Sequence, residues 1–179
     1  MNADGYDAVV YDLDGTLVHL MVDWAVVTRD VREVYLAADV NPPESNLWSL
    51  LASAPDVGLA AEVESTIADH EREGARRSTR LAHANDLERR AESVPVGVCS
   101  LNCEAACRIA LEEHGLASAV DTVVGRDTVE TRKPHPDPLL TVIDTLESVP
   151  SRTLFIGDSP RDEETANRAG ARFQYVDGQ

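Results

Sequence analysis

The stretch DAVVYDLDGT, residues 7–16, decides the fold. It opens with a short apolar run, residues 7–12, and the pair Asp14-Gly15 after that run is a typical turn sequence. An apolar run of this length that ends in a turn signal predicts a buried β-strand. Asp12 and Asp14 lie two residues apart where the strand ends, so both carboxylates can face the same site.

Four weaker apolar runs of the same kind follow along the chain, at residues 94–100, 121–125, 152–156 and 172–176. Helical stretches separate most of them, at residues 104–114, 136–146 and 161–169. Proline near the start and glycine just past the end of such stretches are typical of helix boundaries. Strands that alternate with helices of this size predict an α/β fold with a Rossmann-like, doubly wound parallel sheet of about five strands.

A long stretch without a convincing strand, residues 19–93, lies between the first two predicted strands. Two sets of residues recur in it at helical spacing: Trp24, Val27, Val31 and Tyr35, then Leu59, Val63, Ile67 and His70. Such spacing is typical of helices with one buried face, so packing explains the aromatic positions more simply than ligand contacts do. Residues 71–92 are heavily charged. We therefore predict a helical cap with its return segment at residues 19–93, over a catalytic core of residues 1–18 and 94–179.

The chain is strongly acidic. Its 179 residues carry 32 acidic and 16 basic side chains, giving a formal net charge of −16, and Lys133 is its sole lysine. Two interpretations are open: an ordinary acidic enzyme, or a protein of the acid-rich, lysine-poor kind that resembles those of extreme halophiles. In the second case high salt screens the repulsion between acidic groups. An acidic chain is a poor partner for nucleic acid, whose binding depends on basic patches.

The sequence gives no sign of membrane insertion or export. No apolar stretch is long enough to cross a membrane, and residues 1–7 hold two acidic residues and no basic one, unlike a secretory signal. We therefore expect a cytoplasmic protein with no membrane partner.

The three cysteines, Cys99, Cys103 and Cys107, are odd in number and four residues apart, which disfavours disulfides. Burial as small apolar residues is a simpler interpretation than a metal site on one helix face.

Acidic residues follow two of the predicted strands directly. Asp12 and Asp14 end the first strand, and Asp158 and Asp162 follow the strand at residues 152–156. Parallel sheets place ligands beyond the carboxyl ends of their strands, so these four carboxyl groups are expected at one edge. Carboxylate oxygens are the ligands that Mg²⁺ prefers, and a magnesium site is therefore predicted there.

Two further positions are suited to binding phosphate. Ser100 and Asn102 end the second predicted strand, where a hydroxyl group and the start of a helix favour an anion. Lys133 lies in a loop before the helix at residues 136–146. Its ammonium group offers a positive charge and three donors, which suit both a phosphate and a carboxylate nucleophile.

In chain order, these elements resemble the four motifs of the haloacid dehalogenase superfamily, and its phosphatase branch in particular. DLDGT at residues 12–16 is similar to the first motif, Ser100 to the second, Lys133 before a proline to the third, and GDSPRD at residues 157–162 to the fourth. The resemblance spans nearly the whole chain, and residues 19–93 correspond to the helical cap that many members carry after the first motif.

The resemblance implies Mg²⁺-dependent hydrolysis of a small phosphorylated metabolite through an aspartyl-phosphate. The resemblance implies that Asp12 is the nucleophile and Asp14 the general acid–base. Ser100 and Asn102 would bind phosphate, and Lys133 would compensate the charge of Asp12 and of the phosphoryl oxygens. Mg²⁺ would be held by Asp12, the Asp14 carbonyl and Asp158, with Asp162 orienting a metal-bound water. A carboxylate nucleophile splits one displacement into two easier steps. Protonation of the leaving group requires a neutral Asp14, whose pKa we expect the nearby Asp12 charge to raise.

Similar motifs occur in three alternatives to a phosphatase. Haloacid dehalogenation is disfavoured because members of that type lack the second acid, which is present here as Asp14. A phosphomutase would form the same aspartyl-phosphate but return it to a sugar phosphate. A non-catalytic phospho-ligand-binding protein on this fold would be expected to lack one of Asp12, Asp14 and Lys133. Four basic residues are further candidates for substrate contacts, although surface positions explain them more simply: His19, Arg76, Arg77 and Arg80.

Overall fold

A computed structural model describes residues 5–43 and 46–176 of the chain. Its strands are β1 (Ala8–Tyr11), β2 (Val18–His19), β3 (Thr79–Arg80), β4 (Val96–Cys99), β5 (Thr122–Val124), β6 (Thr153–Gly157) and β7 (Arg172–Tyr175). Five of them form one parallel sheet in the order β5-β4-β1-β6-β7. The predicted α/β fold with a parallel sheet of about five strands is confirmed, and the strand that contains DAVVYD lies at its centre.

The helices in the described part of the chain are α1 (Trp24–Ala37), α2 (Leu47–Ser53), α3 (Ala60–Arg76), α4 (His83–Ala91), α5 (Glu104–Glu113), α6 (Asp137–Thr145) and α7 (Pro160–Ala169), with short 3₁₀ turns at Ala54–Val57, Ala117–Ala119 and Pro150–Arg152. Local chemistry explains several of their ends. The Asp23 side chain accepts hydrogen bonds from the first turn of α1, and Ser159 and Asp162 form a capping box at the start of α7. None of these described helices has both the length and the apolarity that crossing a bilayer requires.

The sheet is covered on both faces. Along β1, Val9 and Tyr11 belong to a hydrophobic cluster that also takes in side chains of α4 and α5. Ala8 and Val10 point the opposite way, into a second cluster built with α6 and α7. Alternate strand residues face opposite sides of a sheet, so the near-continuous apolar run of β1 reflects burial on both sides. The doubly wound arrangement is thereby confirmed.

Residues between β1 and β4 form a third hydrophobic cluster from α1, α2 and α3, to which Val27, Val31, Val63 and Ile67 contribute. The expectation that this stretch holds no strand was wrong. The chain enters it at β2 and leaves it at β3, and these strands pair antiparallel over two residues each. Strands this short leave no periodic signal in a sequence. Helix α4, by contrast, buries Ala84 and Leu87 in the sheet's own cluster.

Candidate active site at the carboxyl edge of the sheet

All seven predicted site residues line one cavity of about 430 Å³. They arrive there because parallel strands end at the same edge: Asp12 follows β1, Ser100 follows β4 and Asp158 follows β6. The core side of the cavity is formed by Asp12, Asp14, Ser100, Leu101, Asn102, Lys133, Asp158, Ser159 and Asp162. The sequence therefore placed these side chains together correctly, although they span 150 residues of chain.

Lys133 lies at the centre of the core side. Its Nζ donates to Asp12 Oδ1 at 2.7 Å, to Asp162 Oδ1 at 2.5 Å and to the Cys99 carbonyl at 3.0 Å. The residue is only 4% exposed. Burial acts to lower the pKa of Lys133, but the charges of Asp12 and Asp162 outweigh it and raise that pKa. The ammonium group is therefore held in its charged form between two carboxylates.

Asp12 is buried beside Lys133, and its backbone N–H is fixed by the Ile156 carbonyl at 2.8 Å. Burial raises the pKa of the Asp12 carboxyl, Lys133 opposes the rise, and the Asp162 carboxylate adds to it. Neighbouring charges in a water-poor site act strongly on one another. The charge state of Asp12 thus depends on its two charged neighbours.

Asp14 occupies a different environment from Asp12. Its Oδ1 accepts a hydrogen bond from the Leu20 backbone N–H at 2.8 Å, and His19 Nδ1 lies 3.7 Å from the same oxygen. Burial raises the pKa of Asp14, and Asp158 adds to the rise. The predicted direction is correct, but the predicted cause was wrong, since burial rather than the Asp12 charge has the largest effect. A raised pKa suits a carboxyl group that must carry a proton.

Gly15 explains why a glycine follows Asp14. Its φ is +85°, a left-handed conformation that side chains disfavour, and a Cβ built there would lie 2.2 Å from Asp158 Oδ2. The missing side chain lets the Asp158 carboxylate approach the first motif. One carboxylate oxygen from each of Asp12, Asp158 and Asp162 lies within 4.8 Å of the others. This acidic cluster supplies the hard oxygen atoms that a cation such as Mg²⁺ prefers.

The members of this acidic cluster differ in how far their oxygens are already used. Asp162 Oδ1 accepts from Lys133, while Oδ2 accepts from the Ser159 hydroxyl at 2.6 Å and from its backbone N–H at 3.2 Å. Asp158 is exposed to the cavity. Asp12 and Asp158 are therefore better placed than Asp162 to bind a cation directly.

The loop after β4 is ordered by its own side chains. Ser100 Oγ donates to Asn102 Oδ1 and accepts from the Asn102 backbone N–H, both at 3.1 Å. Both residues are buried, and α5 begins two residues later at Glu104. The loop thus presents a hydroxyl group to the cavity close to the start of a helix, as expected for a site that binds an anion.

A buried ion-pair network that was not predicted from the sequence lies behind this loop. Glu71 of α3 has no exposed surface; it accepts from both terminal nitrogens of Arg126, at 2.6 and 3.0 Å, and from the Cys103 backbone N–H at 2.9 Å. Asn102 Nδ2 donates to the same carboxylate at 3.3 Å. Arg126 also pairs with Glu64 and donates to the Leu101 carbonyl at 2.7 Å. The network joins α3 to the loop after β4.

A signal for Glu71 was present in the sequence. Val63, Ile67 and Glu71 are spaced four residues apart, so the acidic side chain continues the buried face of α3. A carboxylate on an apolar face needs a buried partner, since an unpaired charge there is strongly unfavourable. The partner, Arg126, follows β5 and could not be identified without the fold.

The opposite wall of the cavity is formed by α1 and the start of α2, through Trp24, Thr28, Asn46, Leu47 and Trp48. The expectation that packing rather than a ligand contact explains Trp24 was wrong, because the side chain is 38% exposed and lines the cavity. Tyr35, the other aromatic residue on that helical face, is buried as expected. Periodicity places a side chain on a face but does not tell which neighbour that face meets at each turn.

The four basic candidates for substrate contacts do not line this cavity in the described part of the chain. Arg76 and Arg77 form exposed ion pairs with Glu73, and Arg80 bonds to Glu88 and the His114 carbonyl. His19 lies just outside the cavity, near Asp14. The three cysteines are buried and unpaired, as expected.

Comparison with known proteins agrees with this geometry. The chain is 32% identical over 188 residues to a phosphoglycolate phosphatase of Rhodospirillum rubrum, covering 91% of this chain and 76% of that protein. It is also 32% identical over 181 residues to a phosphoglycolate phosphatase of Cereibacter sphaeroides, covering 92% and 82%. The crystal structure of CbbY from Rhodobacter sphaeroides in complex with phosphate shares the fold, with a TM-score of 0.69 and 18% identity over 97% of this chain and 87% of that one. The sequence profile of the haloacid dehalogenase-like hydrolases matches residues 9–176, and the chain belongs to that family.

Proposed function

We propose that this hydrolase cleaves a small phosphate monoester through an aspartyl-phosphate on Asp12. Phosphoric monoester hydrolysis as such follows from the family and from the identity to phosphatases along most of the chain. The observation that carries the covalent route is the placement of Asp12, buried at the end of β1 with Lys133 Nζ 2.7 Å from one carboxylate oxygen. The fixed ammonium group opposes the rise in the pKa of Asp12 that burial causes, and so favours the charged, nucleophilic carboxylate.

In the first step, a carboxylate oxygen of Asp12 forms a bond to phosphorus while the bond from phosphorus to the ester oxygen breaks. Asp14 donates its proton to the departing oxygen, which its raised pKa favours. Ser100 and Asn102 hold the phosphoryl oxygens, and the positive charge of Lys133 beside Asp12 offsets the negative charge of the transferring group. In the second step, Asp14 takes a proton from a water molecule that attacks phosphorus. The bond to Asp12 breaks, and inorganic phosphate leaves.

The acidic cluster supports dependence on Mg²⁺. Asp12 and Asp158 would hold the ion together with the Asp14 backbone carbonyl, and Asp162, whose oxygens accept from Lys133 and Ser159, would act outside the direct ligands. When bound, the cation offsets negative charge on the transferring group. We further propose that residues 19–93 act as the cap that covers the cavity. We also propose that the enzyme is cytoplasmic, in keeping with its three unpaired cysteines.

Phosphate release from a panel of phosphate monoesters tests the proposal. With Mg²⁺ we expect turnover that exhaustive chelation abolishes and added Mg²⁺ restores. Asp12→Asn should lower kcat by at least about 10³-fold, because removing the nucleophile disables both steps. Asp14→Asn should lower kcat by at least about 10²-fold.

Circular dichroism of both variants provides the folding control. Near-full activity of Asp12→Asn would contradict the covalent route, and full activity after chelation would contradict the metal. Transfer of the phosphoryl group to a sugar phosphate rather than to water would identify a phosphomutase instead.

A further inference from the structure

Both tryptophans of the chain lie on one wall of the cavity. The sequence contains two, Trp24 and Trp48, and they stand at the starts of α1 and α2. Both line the cavity opposite Asp12, and neither is fully buried. Large aromatic side chains that are held at a cavity surface offer flat faces for stacking against a ring.

The polar groups on the same wall are neutral. Thr28 Oγ1 donates to the Trp24 carbonyl at 2.7 Å, which leaves the oxygen able to accept. Asn46 Oδ1 accepts from the Ser49 backbone N–H at 3.1 Å, which leaves the amide hydrogens able to donate. Beside the two indole rings, the wall thus offers one acceptor and one donor, which suit hydroxyl groups.

The charges around the cavity oppose an anionic leaving group. Among the described lining residues Lys133 is the one base, and its Nζ already donates to Asp12, Asp162 and Cys99. Four aspartates line the same cavity. A carboxylate or second phosphate on the leaving group would lose water and gain no charged partner on the wall, only the neutral Asn46 amide, which is unfavourable.

We propose that the wall of Trp24, Thr28, Asn46 and Trp48 selects phosphate monoesters whose leaving alcohol is uncharged and carries a ring. This selection rests on the proposed phosphatase function. A cavity of about 430 Å³ falls within the range of sites that enclose such molecules. The preferred substrate class is therefore a sugar-like or aryl phosphate rather than an ester such as phosphoglycolate, whose small leaving group carries a carboxylate.

Arg161 is a cation near the cavity that would favour the opposite selectivity, for an anionic leaving group. Its guanidinium carbon lies 5.4 Å from the centre of the Trp48 ring, a stacking contact that holds the charge against the indole. If a leaving-group carboxylate were recognised, Arg161 would be the residue to meet it. Arg161→Gln therefore serves as the matched variant to Trp48→Leu.

The two tryptophans also provide the measurement, since the intrinsic fluorescence of the chain comes chiefly from them. In the Asp12→Asn background, which holds substrate without turnover, we expect glucose 6-phosphate and phenyl phosphate to change the emission. Each should bind at least tenfold more tightly than phosphoglycolate. Inorganic phosphate should bind with little change in emission.

In the active enzyme, Trp48→Leu should lower kcat/KM for whichever ring-bearing ester is preferred by at least tenfold and change that for phosphoglycolate less than twofold. Arg161→Gln should leave both nearly unchanged. Preference of the wild type for phosphoglycolate, or a selective loss of phosphoglycolate turnover in Arg161→Gln, would overturn the proposal. Absence of hydrolysis of every ester would instead contradict the phosphatase function, and the binding titrations would still decide the selectivity.

Discussion

Lys133 joins three separate parts of the chain at the level of a single side chain. Its ammonium group has three donor hydrogens, and the acceptors are a carboxylate after β1, a carbonyl at the end of β4 and a carboxylate in α7. Burying a charge is unfavourable unless such partners satisfy it. Lys133 therefore stabilises the arrangement of Asp12 and Asp162 as well as compensating their charge.

The burial of Lys133 determines how it responds to an amine-selective acylating reagent. Solvent-exposed lysines react readily, but here the Nζ is enclosed and the raised pKa keeps it protonated and non-nucleophilic. We expect Lys133 in the native protein to be acylated at least about 100-fold more slowly than in urea, because reaction requires opening of the site. Peptide mass mapping over time measures both rates.

The urea-unfolded chain is the control for that experiment, since it exposes the same sole lysine. Inorganic phosphate with Mg²⁺ should slow the native reaction further by stabilising the closed site. Rapid, complete acylation of Lys133 in the native protein with activity unchanged would remove it from the mechanism.

At the scale of elements, α3 is tied to the loop that presents Ser100 and Asn102. Glu71 receives hydrogen bonds from the loop through Asn102 Nδ2 and the Cys103 N–H, while Arg126 bonds to the carbonyl of Leu101. The same helix packs extensively along α5, which follows the loop. The position of the loop that we propose binds phosphate is thus coupled to a helix from the region proposed as the cap.

Glu71→Gln tests this coupling, with Glu64→Gln as its matched control. Both carboxylates pair with Arg126, but Glu64 is partly exposed and makes no bond to the loop. We expect Glu71→Gln to lower the free energy of unfolding by about 3–5 kcal/mol, because it leaves a buried guanidinium under-compensated. Glu64→Gln should lower it by about 1 kcal/mol or less.

Urea unfolding measures these changes, and inhibition by inorganic phosphate separates positioning from stability. The inhibition constant should rise at least about fivefold in Glu71→Gln and stay unchanged in Glu64→Gln, a difference of about 1 kcal/mol in binding. Equal inhibition constants in both variants would mean that the network has a purely structural role.

The elements of the core were predictable from sequence, whereas the contribution of α1, α2 and α3 to the site was not. Strand ends in a parallel sheet meet at one edge, so the motif residues Asp12, Ser100 and Asp158 could be brought together by topology alone. Trp24 and Glu71 lie on helices whose periodicity shows a buried face but not what covers it. Their roles depend on how α1 and α3 dock against the sheet.

At the scale of the whole molecule, acidic charge exceeds basic charge by 16. Many described ion pairs are short-range and exposed, such as Arg108 with Glu104 and Arg168 with Glu164, and pairs of this kind contribute little to stability. The uncompensated acidic groups repel one another across the surface. Salt screens both the attraction within these ion pairs and the repulsion between the acidic groups. Because acidic groups are in excess, the repulsion that salt removes is larger than the attraction that it removes.

We therefore expect thermal stability to rise with potassium chloride. The Debye length falls from about 10 Å at 0.1 M to about 3 Å at 1 M, which screens most of the repulsion. An increase of about 4 °C or more in Tm would correspond to roughly 1–2 kcal/mol for a chain of this size. Scanning calorimetry at both salt concentrations measures it, with sucrose as an uncharged control. A Tm that did not rise would favour an ordinary acidic enzyme over the halophilic interpretation.

The pairing of β2 with β3 bears on how this protein could evolve. Val18 pairs with Arg80, and the Leu81 N–H donates to the Leu17 carbonyl at 2.9 Å, so the chain leaves the core and returns to it at neighbouring points. A segment whose two ends meet in this way can be lengthened, shortened or exchanged between genes without altering the order of the core strands. The half of the cavity that holds both tryptophans can therefore change separately from the half that holds the aspartates and Lys133, provided that the segment keeps a buried partner for Arg126 such as Glu71. An enzyme with the same catalytic core can thus acquire new substrates when the segment between β2 and β3 is exchanged.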